Sequence, residues 1–371
     1  MPTSLRFEFL GTKDADALSP SCVAYPDIYL SPAYGRTVEV LERCRWELAR
    51  CTFDDGNVCC YVYLKRPIEN SEYFDIVSPY GYAGPWGTDG VTEQHWCLFR
   101  NMFLAHAQKK GVVSEFVRFS PMLNSEQVLY RSACSANLHS WLHQETTVVH
   151  LQGSIGYPTG CSKRHRRKCK KAIAQGVECN LYEKGEVTDQ IMNEFVALYH
   201  ETMTRLDADH YYLFPHEYFR VLLSELADYI FICVVRLDAR PIAAGLFLIF
   251  NDCVHYHLGA SSDEGRACGG NDLMFKSVFE AVKQDGQAFV HLGGGMHKND
   301  GLSSFKLSMS PHQFQWYLGK SVINETKYWE LTKEHARLCE VEIETLQKLD
   351  YFPLYRTKKS KLESCKPSLP G

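Results

Sequence analysis

Several features that would place this chain in a simple class are missing from its sequence. The net charge is only −4 over 371 residues, so a nucleic-acid or membrane partner would have to meet a local patch. The longest apolar run, near Ile242–Phe250, is interrupted by Gly245 and is too short to span a bilayer. The first residues lack the basic and apolar segments of a secretory signal. We therefore expect a cytoplasmic protein with no transmembrane segment.

The common motifs for metal, phosphate and covalent chemistry are missing too. The sequence contains no CxxC pair, no Walker loop and no serine nucleophile elbow. Its fifteen cysteines are expected to be reduced thiols, because no secretory signal accompanies them. No carboxylate or cysteine at a familiar zinc-binding spacing joins the nearby histidines, so we expect no metal site. Those histidines are His255, His257, His291 and His297, and the first two flank Tyr256, so on a strand they point to the same face.

The chain has the composition and length of a soluble protein with two domains. Apolar residues make up 45% of it and charged residues 23%. One pattern occurs twice, namely a predicted hairpin, then a helix that ends at a glycine, then a buried strand. In the first half these elements are Trp46–Phe53, Val58–Lys65, Val91–Lys109 and Val112–Phe119, and in the second Tyr229–Leu237, Pro241–Phe250, Asn271–Gln284 and Ala288–Leu292. The repeat predicts two copies of a mixed α/β unit.

A glycine-bearing turn lies between a strand at Val254–Ala260 and the helix that begins near Asn271. The turn contains Arg266, Gly269, Gly270 and Asn271. It is close to the (Gln/Arg)-x-x-Gly-x-(Gly/Ala) loop with which GNAT acyltransferases hold the pyrophosphate of coenzyme A. Glycines let successive backbone N–H groups converge on phosphate oxygens, and the helix dipole adds positive potential. Ordinary turn chemistry is the alternative interpretation.

A strongly basic segment at 162–176 predicts a helix that ends at Gly176. Its seven cations are Lys163, Arg164, Arg166, Arg167, Lys168, Lys170 and Lys171. A solvated helix face is one interpretation. The other is an anion site for an RNA backbone, such as that of tRNA, for a nucleotide phosphate or for a lipid headgroup. Aromatic residues do not alternate with the charges, which disfavours a platform for stacked bases.

The order of segments after Leu198 resembles the Fem-type aminoacyltransferases. The segments that carry this resemblance are LYHETMTRLDADHYYLFPHEYF, RPIAAGLFLIF, VHYHLGASS, NDLMFKSVFEAVKQDG, HLGGG and FKLSMSP. The resemblance covers about 160–356 well and the first half loosely. It implies an α+β fold of two tandem GNAT-like domains, and transfer of an aminoacyl group from aminoacyl-tRNA to an amine of a peptidoglycan stem peptide.

The resemblance also implies roles for individual residues. Lys306 matches the lysine of a Phe-Lys pair that stabilises charge at the transferred acyl group, a role that favours the transition state. Arg205 matches an arginine that contacts the acceptor's diphosphate, and Tyr256 matches an aromatic residue beside the acyl site. The alternatives are that Lys306 is a surface residue at a strand edge, that Arg205 pairs with Asp207 or Asp209 at a helix end, and that Tyr256 is a core residue. Independently of the resemblance, His257 is a candidate general base for the amine.

These observations lead to one expected organisation and three expected functions. We predict an N-terminal domain on the acceptor side at 1–155, a C-terminal domain on the acyl-donor side at 156–330, a helix and strand that pack back at 331–356, and a basic disordered tail at 357–371. The first function is an acyl or aminoacyl transferase that uses an aminoacyl-tRNA-like donor and a small-molecule or peptide amine. A coenzyme A-dependent N-acetyltransferase and a non-catalytic RNA- or anion-binding module are the alternatives. No permanently bound cofactor is expected, and aminoacyl-tRNA or acyl-CoA would be a co-substrate.

Overall fold

The computed structural model describes residues 5–18, 24–123, 125–126, 138–151, 157–183, 185–298, 300–358 and 361–362. Contacts within the chain divide it into two compact units. Unit 1 contains Met1–Gly11, Cys44–Leu142 and Tyr317–Gly371, and unit 2 contains Thr12–Arg43 and His143–Trp316. The domain bounds proposed from the sequence, at 155 and 330, stay predictions.

Thirteen strands and eleven α-helices make up the described secondary structure, together with short 3₁₀ turns. The strands are β1 Arg6–Leu10, β2 Arg45–Thr52, β3 Val58–Pro67, β4 Phe74–Val77, β5 Gly84–Gly87, β6 Val112–Arg118, β7 His139–His150, β8 Glu178–Glu183, β9 Ile230–Leu237, β10 Arg240–Phe250, β11 Cys253–Ser261, β12 Phe289–Gly293 and β13 Gln313–Val322. The helices are α1 Thr12–Asp16, α2 Pro32–Glu42, α3 Glu93–Lys109, α4 Lys163–Ala174, α5 Asp189–Arg205, α6 His216–Leu226, α7 Asp263–Cys268, α8 Gly270–Gln284, α9 Gly301–Leu307, α10 Glu325–Leu338 and α11 Ile343–Gln347.

The two units share one strand topology. In unit 1 the strand order is β1-β2-β3-β4-β6-β13, with β5 against β3, and in unit 2 it is β8-β9-β10-β11-β12-β7. Neighbouring strands are antiparallel except for β4 with β6 and β11 with β12, which are parallel. A parallel pair needs a long crossover, and α3 and α8 supply the helix in each case. The predicted mixed α/β fold with a repeated hairpin, helix and strand is confirmed.

The sixth strand of each unit follows the strands of the other unit in the sequence. β7 follows β6 in the sequence but pairs with β12, whereas β13 follows β12 but pairs with β6. β7 and β13 each run from one unit into the other. The units are therefore not two consecutive pieces of sequence.

The core of unit 2 forms where the apolar face of α8 meets the sheet. Phe275, Val278, Phe279 and Val282 recur with helical spacing, as the sequence predicts, and all four are buried. They pack in one cluster with residues of β9–β12, including Phe247. This arrangement fixes the N-terminus of α8 close to the end of β11, where the candidate site lies.

Unit 1 has an equivalent core beneath α3. Phe99 and Phe103 are buried there against Tyr61 and Val117 from the sheet. Arg100, on the same helix, forms a fully buried ion pair with Glu115. Among the described residues, each helix is too short or too polar to cross a membrane.

Three local predictions are corrected by the structure. The glycine-bearing turn contains a short helix, α7, because Ser262 caps it by accepting a hydrogen bond of 3.1 Å from the Gly265 N–H group. The helix and strand predicted within 331–356 are instead α10, α11 and a 3₁₀ turn at Leu354–Arg356, since Glu340 adopts a left-handed φ of 55° between the helices. In the predicted disordered tail, Leu362 is buried in a core cluster, while 359–360 and 363–371 lie outside the described residues.

Candidate active site

An opening between two parallel strands organises the site. The parallel pairing of β11 and β12 joins Cys253–His255 to Phe289–His291. β11 continues to Ser261, and β12 ends at Gly293 after a register shift against β7. The pairing therefore ends early along both strands. We call the place where it ends the fork.

Helix α9 holds Lys306 at the fork. Asp300 begins the helix by accepting a hydrogen bond of 2.7 Å from the N–H group of Ser303. Lys306 is only 5% exposed, and its Nζ donates a hydrogen bond of 2.6 Å to the carbonyl of Gly294, directly after β12. The same Nζ lies 5.8 Å from the ring centroid of Tyr256 on β11. One buried amine is thus held between the two arms of the fork.

Burial changes the charge state of this amine. It lowers the pKa of Lys306 to about 7, against the opposing effect of Asp300. The protonated and neutral forms are therefore both well populated at neutral pH. Lysine is seldom buried without a salt bridge, and none is formed by Lys306 among the described residues. A titratable group perturbed in this way is a candidate functional group, suited to stabilising negative charge that develops on a substrate oxygen.

Aromatic rings surround the fork on the side of Lys306. The ring of Tyr256 lies 5.3 Å from that of Phe247 and 4.9 Å from that of Phe275. Phe305, which precedes the lysine, lies 5.9 Å from Phe275. The tyrosine ring extends over Gly259, where a Cβ would lie 1.5 Å from the tyrosine oxygen. Glycine at this position is therefore required for Tyr256 to lie where it does.

We expect Gly259→Ala to displace Tyr256 from the fork. The new methyl group overlaps the phenol, so the protein should lose about 1–3 kcal/mol of stability, as overpacked cores do. Thermal or denaturant unfolding measures this loss. Gly301→Ala is the matched control, because nothing lies within 4 Å of its added Cβ. An unchanged stability of Gly259→Ala, or no recovery in Gly259→Ala/Tyr256→Leu, would contradict the explanation.

His257 lies on the opposite face of β11 from Tyr256. Its Nδ1 is 3.1 Å from the hydroxyl of Tyr29, and its Nε2 is 2.7 Å from the hydroxyl of Tyr218. Burial, and then the charge of His255, lower the pKa of His257 to about 3. The structure therefore does not bring this histidine together with Lys306, and both of its ring nitrogens already contact tyrosines. These two contacts and the low pKa disfavour a role for His257 as a general base.

Arg205 and Arg266 meet at the end of β11. Arg205 ends α5, donates a hydrogen bond of 2.6 Å to the carbonyl of Ser261, and lies 3.3 Å from a carboxylate oxygen of Asp263. Arg266 pairs with the same carboxylate. The sequence alternative for Arg205 was an ion pair with Asp207 or Asp209, but the partner is Asp263. Contact of Arg205 with an acceptor diphosphate stays a prediction.

Helix α4 covers the glycine loop. Gly269 and Gly270 are buried, and a Cβ on Gly269 would lie 2.8 Å from the carbonyl oxygen of Lys168. Asp272, in the first turn of α8, accepts a hydrogen bond of 2.9 Å from His165 of α4, a side chain that is fully buried. The backbone of Gly269 is consequently packed beneath α4, and Gly270 is packed against Gly265, so neither is open to a pyrophosphate. Asn271 is half-buried beside them.

The outer face of α4 is a dense row of cations. Its buried residues are His165, Cys169 and Ala172. The exposed ones include Lys163, Arg164, Arg166, Arg167, Lys170 and Lys171, while Lys168 is half-buried. The predicted basic helix is therefore present, and six of its seven cations face solvent. We call these six residues the α4 cation row.

The sequence did not single out two further contributors to this geometry, Gly259 and Gly294. The glycines that end β12 were noticeable as a run, but only the folded chain shows which carbonyl contacts Lys306.

Among the described residues, no group of three or more His, Cys, Asp or Glu has an arrangement suited to a metal ion.

Comparisons with known proteins identify the class. The family model for an acetyltransferase (GNAT) domain matches residues 160–306, a segment that contains α4, the fork and Lys306. This segment is therefore similar to an acetyltransferase (GNAT) domain, and the prediction of an acyltransferase is confirmed. No curated protein sequence matches the chain significantly.

Solved structures have the same fold over most of the chain. The crystal structure of FemX is 12% identical, with a TM-score of 0.65 over 87% of this chain and 99% of FemX. The C-terminal domain of a lysylphosphatidylglycerol synthetase from Agrobacterium fabrum is 16% identical, with a TM-score of 0.54 over 78% of this chain and 86% of that one. L-PGS from Bacillus licheniformis is 16% identical, with a TM-score of 0.53 and coverages of 77% and 86%. The predicted Fem-like tandem GNAT fold is confirmed.

Proposed function

We propose that the chain transfers an aminoacyl group from an aminoacyl-tRNA-like ester to the amine of a small molecule or peptide. The observation that carries this proposal is the buried amine of Lys306 at the fork, 2.6 Å from the Gly294 carbonyl. A fixed cation in a site shielded from water stabilises the oxyanion of a tetrahedral intermediate more than it stabilises the ester. The resemblance to Fem-type enzymes supports the same assignment for this lysine.

The reaction needs few further groups. A neutral amine attacks the ester carbonyl, a C–N bond forms, and the C–O bond to the donor hydroxyl breaks. The amine loses one proton and the leaving oxygen gains one. Because the ester is already activated, positioning and oxyanion stabilisation account for most of the required catalysis. Tyr256 would line the acyl position beside Lys306, and Arg205 would lie on the acceptor side.

Two features favour a donor carried by tRNA over coenzyme A. The buried Gly269 and Gly270 do not offer a pyrophosphate an open cradle, because the Lys168 carbonyl packs on Gly269 and the Gly265 carbonyl packs on Gly270. The α4 cation row, by contrast, offers a nucleic-acid backbone six exposed positive charges. The name of the structural neighbour lysylphosphatidylglycerol synthetase also describes an aminoacylated product. Aminoacyl-tRNA is made in the cytosol, so we place the reaction there.

The match to an acetyltransferase domain keeps a coenzyme A-dependent N-acetyltransferase as the second candidate. Calorimetry with acetyl-CoA separates the two donors. We expect no binding at millimolar acetyl-CoA, because α4 would have to move away from Gly269 first. Micromolar binding by the parent chain would favour the second candidate instead.

Transfer itself can be assayed directly. Purified chain is mixed with total tRNA charged with labelled amino acids and with a panel of primary amines, and amide products are identified by mass spectrometry. We expect label to move from tRNA to an amine only when active chain is present. RNA binding without transfer from any charged tRNA would instead support a non-catalytic RNA-binding module.

A further inference from the structure

Three buried side chains next to the fork have no part in the reaction described so far. They are Asp27, His255 and His291, which are 5%, 2% and 2% exposed. His255 and His291 are register partners on β11 and β12, at the last paired position before the fork. Asp27 comes from the segment before α2, which belongs to the same unit. Bringing a carboxylate and two imidazoles into a protein interior is costly unless they pair.

The three groups form a continuous chain of polar contacts. One oxygen of Asp27 lies 3.2 Å from Nε2 of His255, and its other oxygen accepts a hydrogen bond of 3.0 Å from the Tyr29 N–H group. Nδ1 of His255 lies 3.3 Å from Nδ1 of His291. Two ring nitrogens at hydrogen-bonding distance must have a proton between them, so one ring donates and the other accepts. His255 and His291 therefore share a proton.

Charges around the chain fix where that proton resides. Burial alone disfavours an imidazolium, but Asp27, with a contribution from Cys253, raises the pKa of His255 well above its usual value. Burial, followed by the charges of His255 and Lys306, lowers the pKa of His291 well below its usual value. His255 is consequently the cation, and His291 is the neutral acceptor at Nδ1. The other titratable groups here are His257 and the two tyrosines whose hydroxyls contact it, Tyr29 and Tyr218.

The charge of Lys306 acts on His291, the last of these three groups, and helps to lower its pKa. His291 is three residues before Gly294, whose carbonyl accepts the hydrogen bond of Lys306. We propose that Asp27, His255 and His291 are a proton-transfer chain that serves the fork, with His291 as the member that exchanges the proton of the reaction. This role rests on the proposed function, because it concerns the proton that moves in the same aminoacyl transfer.

The proton balance of the step is simple. When the ester C–O bond breaks, the leaving oxygen receives a proton from His291, which takes one at Nδ1 from His255. The proton that the attacking nitrogen loses then restores the chain to its resting state. Asp27 does not change its charge. It holds the imidazolium of His255 and is a positioning residue.

Asp27→Asn tests the chain with little disturbance of the fold. Asparagine keeps an oxygen that can accept the Tyr29 N–H bond, while an NH2 group replaces the carboxylate oxygen that faces His255, so both the charge and the acceptor for this imidazolium are removed. We expect kcat to fall by about 10- to 100-fold with KM unchanged, within the range of general acid–base effects, and its pH profile to change shape. Tyr29→Phe is the matched control, since it lies two residues further on and removes a hydroxyl that contacts His257 rather than a member of the proton-transfer chain. Its kcat should equal that of the parent.

A second measurement does not depend on turnover. Nitrogen-15 NMR of the imidazole rings in the parent should report a charged His255 and a neutral His291 near pH 7. In Asp27→Asn the pKa of His255 should fall, and in Lys306→Met the pKa of His291 should rise. If neither substitution changes the pKa of His255 or of His291, the proposed proton-transfer chain does not exist.

The outcomes separate this inference from the proposed function. If the parent transfers aminoacyl groups and Asp27→Asn keeps both kcat and its pH profile, the proton chain is wrong while the proposed function stands. If the parent transfers nothing, the proposed function is wrong. The NMR titrations of His255 and His291 then decide by themselves whether the proton-transfer chain is present.

Discussion

Replacing Lys306 with Met is expected to lower turnover by about 10²- to 10³-fold, because this is the effect of removing one preorganised oxyanion-stabilising group. Methionine has a similar length and keeps the buried volume filled, but it cannot stabilise charge or donate to the Gly294 carbonyl. Turnover should fall while the overall fold is retained. Steady-state kinetics of aminoacyl transfer, with circular dichroism as the check on folding, measure both quantities.

The same substitution should make the protein more stable at neutral and low pH. Exchanging buried charged groups for apolar ones of similar volume is often neutral or stabilising by about 1–4 kcal/mol. The pKa of Lys306 is about 7 in the folded chain, below its usual value near 10.4 when unfolded. Between these values the unfolded state binds more protons, so the stability of the parent rises with pH. The gain in Lys306→Met should therefore be largest below pH 7 and disappear near pH 10.

The pH dependence of the parent's kcat reveals which form of the lysine works. If the ammonium stabilises the oxyanion, kcat should decline as the pH rises through about 7. This decline should be missing from the residual activity of Lys306→Met. Lys298→Ala is the charge-matched control, because Lys298 is exposed in the segment that leads to α9. Normal turnover in Lys306→Met, or an equal decrease in the control, would remove the assigned role.

Neutralising the α4 cation row is the second change with a large expected effect. We expect the combined replacement of Lys163, Arg164, Arg167 and Lys170 by Gln to raise the KM for charged tRNA by roughly 10- to 100-fold, because each neutralised phosphate releases counterions. The logarithmic slope of affinity against salt should become shallower by about 3–4, near 0.9 for each phosphate that is no longer neutralised. Glutamine is a good helix former, so α4 should remain folded. Fluorescence anisotropy with labelled tRNA at several salt concentrations measures the slope.

A control must separate the position of these charges from their number. Replacing Lys109, Lys110, Lys333 and Lys348 with Gln removes four exposed positive charges from other helices or their ends. This variant should keep the KM and salt slope of the parent to within a small change. Equal weakening by both variants would show that tRNA responds to overall charge only. Unchanged binding by the α4 variant would exclude α4 as the contact surface.

Local patterns in the sequence predicted most of the secondary structure. The spacing of Phe275, Val278, Phe279 and Val282 predicts the buried face of α8 because a helix repeats every 3.6 residues. The hairpins β2–β3 and β9–β10 followed from alternating strands around turn residues, and the repeat of this plan predicted two similar units. The alternation of β11 likewise predicted that His255 and His257 share a face, because successive strand residues point to opposite sides.

Other features depend on contacts between residues that are distant in the sequence. Nothing local signals that β7 pairs with β12 and β13 with β6, because strand pairing is decided by which exposed edges meet. For the same reason no local pattern indicates that Asp27 contacts His255, or that α4 packs on Gly269. The glycine loop was therefore interpreted as open, although the folded chain buries it.

Taken by itself, the sequence determined most of the helices and strands, the duplicated α/β plan and the basic character of α4, since each of these depends on residues within one segment. It also made Lys306 a candidate through its resemblance to the Fem-type pattern. The tertiary structure decided that this lysine is buried, that its pKa lies near 7, and that Asp27, His255 and His291 come into contact. Burial and charge interactions depend on what surrounds a side chain in space, and only the folded chain supplies those surroundings.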